Sequence, residues 1–189
     1  MIGVAYAATL VIGFTTRGLS TPILDPLLAV MEALTICAAL VLLVMMAAVH
    51  GRAPEDRKTV GALAFVCMSL ATGITSAVHF VELTAMRQLG SASLVWPSPA
   101  YALELLAWDV FLGLSLVFAS FTLRERVPEN GARRGLFLCG LLCLFGAAGP
   151  IAGDMRIQFV GIFAYGGLLP VVCLLLHRLF RDGVSHGDG

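Results

Sequence analysis

Charge is scarce in this sequence. Only 13% of its 189 residues are Asp, Glu, Lys or Arg, against roughly 25% in soluble domains. So few charges could not cover the surface of a soluble protein of this size. With 59% hydrophobic residues, the exterior calls for lipid as its solvent. Bases and acids balance at 12 each, so no basic excess points to nucleic acid. Loop cysteines are missing too. All five cysteines (Cys37, Cys67, Cys139, Cys143, Cys173) fall inside apolar runs. An odd count with none in a loop argues against a disulfide framework. Cys139 and Cys143 share a helical face and read as small packing residues. There is no Cys-x-x-Cys pair, phosphate-cradling glycine loop or nucleophile elbow. No motif names a cofactor or a reaction.

What is present is a series of long apolar runs. A hydrocarbon core of ~30 Å takes ~20 helical residues. Residues 26–48, 60–83, 101–123 and 157–180 meet that length. Residues 135–153 are shorter and rich in small side chains but uncharged, and read as a further span. The sequence therefore predicts an all-α polytopic transmembrane bundle of five spans in one domain. Residues 1–16 are apolar but only ~24 Å long as a helix. They lack the charged start and cleavage site of a secretory signal. We read them as a short sixth span.

Nine basic residues (Arg52, Arg57, Lys58, Arg124, Arg126, Arg133, Arg134, Arg178, Arg181) fall on one face and three (Arg17, Arg87, Arg156) on the other. Basic loops stay inside. The nine-residue face is thus expected to be cytoplasmic, with the C-terminus, in a bacterial-type inner membrane. The 84–100 loop is expected outside, with Trp96 and Tyr101 at an aromatic belt.

Ionisable residues inside spans are expensive and normally turn toward the bundle interior. Glu32, His79, Glu82, Glu104 and Asp109 all lie in spans, and all in the extracytoplasmic half. Asp109 stands nine residues past Ala100, ~13 Å down, the deepest charge in the chain. Ser69, Thr72, Ser76, His79 and Glu82 recur at intervals of three and four. That draws a polar stripe which must face other helices or water. Val78 and Val81 would then turn toward lipid or a secondary packing surface. On the next span Tyr101, Glu104 and Trp108 share a face. Asp109 lies roughly 140° from Glu104 at 3.6 residues per turn, so the two carboxylates cannot share one narrow seam.

The candidate ligand-binding cluster is His79, Glu82, Glu104, Asp109, Glu32, Trp108 and Tyr101. Arg87 and Arg156 could neutralise two carboxylates at the outer boundary and His79 could hydrogen-bond a third, which would make the cluster purely architectural. A metal, if bound, would draw on His79, Glu82 and Asp109. One His among carboxylates suits a hard ion or a proton better than zinc. His50 and His177 lie at helix ends on the basic face, where an interfacial role explains them better than a haem. Glycines and prolines crowd the last two spans (Gly140, Gly146, Gly149, Pro150; Gly161, Gly166, Gly167, Pro170), as close helix packing requires.

The segment from Ser76 to Gln88, with His79, Glu82 and Arg87, followed by Pro97 to Asp109, with Tyr101, Glu104 and Trp108, resembles a group of uncharacterised small bacterial multi-span membrane proteins. The resemblance runs from about Pro22 to Phe180. It implies a helical-bundle fold and carries no activity with it.

Three functions fit these residues. One is an outward-facing polar cavity that binds or conducts a small ligand, ion or proton. The second is an intramembrane enzyme acting on a lipid with His79 or a carboxylate as base. The third is a structural or partner subunit whose carboxylates lock helices. The lipid bilayer is the expected partner in all three, and an oligomer is compatible with each.

Overall fold

The structure, a computed structural model, describes residues 5, 8, 9, 11, 12, 15, 25–90, 94–125 and 129–184, the last three without their side chains. All secondary structure among the described residues is helical. Five helices are long and apolar enough to cross a membrane: α1 Leu27–Arg52, α2 Glu55–Leu89, α3 Pro99–Thr122, α4 Glu129–Ala152 and α5 Met155–Arg181. The expected span over residues 1–16 lies largely outside the described residues; Ala5, Ala8, Thr9, Val11, Ile12 and Thr15 are each helical.

Two helices run further than hydropathy alone predicts. α2 continues past residue 83, where a loop was expected, to Leu89. Nothing before Gly90 breaks it, and Gly90 ends it in the left-handed conformation at φ 64°, which glycine adopts without penalty. α4 starts six residues before 135, on a polar turn outside the apolar run. Caps set the starts of α3 and α5. Ser98 accepts from the Tyr101 N–H at 3.1 Å with Pro99 in the first turn of α3, and Asp154 caps α5, as short polar side chains do at helix N-termini.

Consecutive helices pack side by side: α1 on α2, α2 on α3, α3 on α4, α4 on α5. Short connections force this antiparallel order. α3 is the centre. In its most apolar stretch 44% of residues are buried, against 17% for α1, which therefore lies on the outside of the bundle. Val44, Phe145, Phe159 and Leu174 project from the exterior, a surface that needs lipid.

The core of the basic-loop half is dry. Met46, Met68, Leu116, Leu136 and Leu176 are within 1% of complete burial. At the helix ends there, the Arg57 guanidinium donates to the carbonyls of Phe121 (3.1 Å) and Leu123 (2.7 Å), satisfying acceptors that the end of α3 leaves open.

Glycine sets the spacing of α3, α4 and α5. A Cβ on Gly140 would lie 2.6 Å from the Gly113 carbonyl oxygen, and one on Gly146 would lie 2.8 Å from Gly161 Cα. Backbone thus meets backbone at two levels, as small residues permit in bilayers.

Candidate functional site

Three of the candidates form one chain of contacts across α1, α2 and α3. His79 sits between two carboxylates. Its Nδ1 contacts Glu32 Oε2 on α1, and its Nε2 bonds Glu104 Oε1 on α3 at 2.8 Å. The Trp108 Nε1–H donates to that same Glu104 oxygen at 2.6 Å. Glu32 and His79 are buried, at 7% and 6% exposure. Glu104 Oε2 is buried without a partner among the described residues.

Helix geometry makes this possible. Glu104 and Trp108 are one α-turn apart and share a face, and that face meets α2 at the level of His79. Beneath the chain, a void of about 10 Å³ lined by Thr72, Thr75 and Trp108 has room for one water at most.

Asp109 goes the other way. Its side chain is completely buried in a notch where α4 meets α5. A Cβ on Gly146 would lie 3.2 Å from its Oδ1, and a Cβ on Gly161 would collide with that atom. Neither carboxyl oxygen has a hydrogen-bond partner of acceptable geometry among the described residues. Gln158 reaches the same notch, yet its Nε2–H donates to Tyr165 Oη at 3.0 Å. Trp108 and Tyr165 then pack ring to ring, 5.3 Å between centroids. This contact joins the triad to the Asp109 notch.

Three helices change pitch at this end of the bundle. α2 takes a π turn at Glu82–Met86, α3 at Leu106–Phe111 and α5 at Ala164–Leu168. A π turn holds one residue more than an α turn, so the faces before and after it are offset by about one residue, roughly 100°. In α3 the π turn contains Trp108 and Asp109. The helix presents Glu104 to α2 and Asp109 to α4 and α5. The expectation that the two carboxylates occupy different seams is met.

The other candidates are placed less centrally. Glu82 is buried, but both nitrogens of His79 are committed to Glu32 and Glu104, so Glu82 is not its partner. Tyr101 is half-buried and meets Trp96 edge-on at 6.0 Å. Among the described residues no group of three or more His, Cys, Asp or Glu is arranged to hold a metal ion, and His79, Glu82 and Asp109 do not converge into one.

On the polar stripe Thr72, His79 and Glu82 are buried and Ser69 and Ser76 half-buried; Val81 is exposed, and Val78, at 6% exposure, turns to a secondary packing surface. Thr75, off the proposed stripe, is at 1%. α2 is flanked by both α1 and α3, so its buried face is wider than one row of residues.

The two arginines neutralise carboxylates at the boundary, as expected, and neither is paired with the buried triad. Arg87 pairs with Asp25 at 2.8 Å and Arg156 with Asp154 at 2.7 Å. The side-chain and backbone hydrogen bonds from Arg156 hold the Asp154 carboxyl below the usual carboxylate range. Both pairs stand at the boundary. His50 and His177 lie at the opposite end, half-buried and exposed respectively. All five cysteines are free, with Cys139 and Cys143 buried. Sequence reasoning missed Gln158, Tyr165 and Thr75. Gln158 was visible as a lone amide in the last apolar run.

Chemically, the triad can hold protons and move them. An imidazole bonded at both nitrogens to carboxyl groups requires two protons along the chain, one in each bond. With Glu104 Oε1 accepting from Trp108, the proton of the second bond sits on His79 Nε2. The first bond then holds its proton on Nδ1 or on Glu32. His79 has no free nitrogen to serve as base toward a lipid.

No protein-family model matches this chain, and no curated protein and no solved structure matches it significantly.

Proposed function

We propose that the protein is a multi-span membrane protein, with its C-terminus on the cytoplasmic side of a bacterial inner membrane, that binds and passes protons at an outward-facing polar site. Membership of the small bacterial multi-span group belongs to the same proposal. The observation that carries it is His79 bridging Glu32 and Glu104, with the unpartnered Asp109 one residue from Trp108. A buried ionised carboxylate without a partner is costly, and a proton on Asp109 removes that cost. Intramembrane carboxylates and histidines in chains are the usual parts of proton relays. The path runs from the outer boundary through Glu32 and His79 to Glu104; the Trp108 indole is a donor only and fixes Glu104 without carrying the proton on, and Asp109 is a second, separate proton site beyond it.

Infrared difference spectroscopy of the reconstituted protein tests this. Acidification should produce a protonated-carboxyl band that Asp109→Asn removes, while Glu82→Gln leaves it in place. A wild-type spectrum with no titrating carboxyl band would overturn the proposal and leave the scaffold reading. Single cysteines at Ser91 and Asn130, in a background without the native five, test the orientation. An impermeant reagent should label them from opposite sides, Ser91 from outside.

A further inference from the structure

A second cavity lies at the other end of the molecule and plays no part in that reading. It measures about 190 Å³ and is framed by the ends of α1, α3 and α5 and the start of α4. Arg52, Arg124 and Glu129 line it, with Val49, Leu179 and Phe180 as its apolar wall. At ~30 Å³ per water it has room for about six waters, or for a phosphate and its ester carbons.

We propose that this cavity binds the phosphodiester headgroup of an anionic phospholipid. Three features select that ligand. First, these two arginines have donors to offer. At the same end Arg57 is committed to the α3 carbonyls, Lys58 to the Gly51 carbonyl at 3.1 Å and Arg133 to Glu125 at 2.6 Å. Arg52 instead lies over the Phe180 ring, 4.3 Å from its centroid. A guanidinium stacked by its face keeps its in-plane N–H fork for an oxyanion. Arg124 has no side-chain partner among the described residues, and its backbone N–H donates to Glu129 Oε2 at 2.6 Å.

Second, the charge fits a monoanion. Two guanidiniums and one carboxylate leave a single net positive charge, which matches a phosphodiester better than a phosphate dianion. Third, the apolar wall belongs to helix ends whose outer faces are themselves apolar and exposed, Val44 on α1 and Leu174 on α5. Acyl chains can follow those faces while the headgroup stays between the arginines. Basic pockets between spans at the membrane surface recognise anionic lipid headgroups in this way.

Native mass spectrometry and thermal unfolding of the detergent-purified protein, with phosphatidylglycerol, phosphatidylcholine or inorganic phosphate added, test the assignment. Phosphatidylglycerol should bind and raise Tm, and phosphatidylcholine should not. Arg124→Gln and Arg52→Gln should each weaken phosphatidylglycerol binding about tenfold, the loss of one charge-assisted contact. Arg133→Gln, removing a cation already paired, should leave binding unchanged. Arg124 stands outside the spans, so its variant decides the matter even if Arg52→Gln does not fold. Equal binding of the two lipids, or unchanged binding by Arg124→Gln, would overturn the site. Stabilisation by inorganic phosphate alone would overturn the lipid and point to a soluble phosphate instead.

Discussion

Toward its basic loops the bundle meets mainly through methyl groups, thioethers and bare backbone, with the Ser115 hydroxyl donating across to the Ala64 carbonyl at 2.7 Å; toward the opposite face it meets through carboxylates and one imidazole. In the first half Met46, Met68, Leu116 and Leu136 are packed out of reach of solvent, and Gly140 sits under the Gly113 carbonyl. In the second, Glu32, His79 and Glu104 join three helices, and Asp109 fills a glycine notch with no hydrogen bond of acceptable geometry among the described residues. Lipid offers no hydrophobic drive between helices, so shape and polar contact must hold them. The dry half uses shape. The polar half uses contacts that would be needless for packing alone. Three π turns fall in the polar half, where such turns often mark function.

The largest effect is expected at the centre of the polar half. His79→Leu leaves Glu32 and Glu104 facing each other without the imidazole between them. Removing one member of a buried polar group costs about 3–5 kcal/mol, so Tm in detergent should fall steeply. A small change would mean that water already reaches these carboxylates and that the contrast between the halves is weaker than it looks.

The dry half should respond to volume instead. Gly140→Ala places a Cβ 2.6 Å from the Gly113 oxygen and 2.9 Å from the Val117 nitrogen, and backbone cannot step aside. Overpacking of this kind costs about 1–3 kcal/mol. Gly131→Ala, with nothing within 4 Å of its Cβ, is the control and should be neutral or slightly stabilising in a helix. Equal melting of the two variants would show that α3 and α4 are not in close contact.

Asp109→Asn separates function from architecture. The amide keeps the volume of the carboxyl, and the desolvation cost of a charge disappears. Stability should therefore hold or rise by about 1 kcal/mol, while the titrating carboxyl band is lost. A clear fall in Tm would instead mean that the carboxylate holds α4 and α5 together.

The contrast itself was partly legible in the sequence. Apolar runs gave five spans, because length and lack of charge are local properties. The depth of Glu32, His79, Glu104 and Asp109 followed from counting along the helices. Which of them meet did not. The partner of His79 is chosen by how α1 and α3 cross α2, and no local pattern encodes that crossing. The divergence of Glu104 and Asp109 was legible from helix geometry, whereas the π turn at Leu106–Phe111 has no obvious sequence signal. Gln158 was overlooked because an uncharged amide did not count among the costly residues, although it lies in the Asp109 notch and donates to Tyr165.

The smallest effect is expected where charge is paired but not buried. Arg87 on α2 and Asp25, in the turn just before α1, lie 2.8 Å apart with side chains 45% and 46% exposed, beside the two helices that Glu32 and His79 join in the interior. A double-mutant cycle with Arg87→Gln and Asp25→Asn should give a coupling below about 1 kcal/mol. Added salt should erase it, because exposed charges are screened. The parallel cycle with His79→Gln and Glu104→Gln should give a larger coupling that salt barely changes, since that pair is sheltered from mobile ions. The two cycles share α2 and differ mainly in depth, so their difference isolates burial from chemistry. Equal couplings, or equal sensitivity to salt, would mean that the triad is as open to water as the boundary pair. In that case the polar half would be a solvated vestibule, and a proton could reach Glu104 without passing along His79.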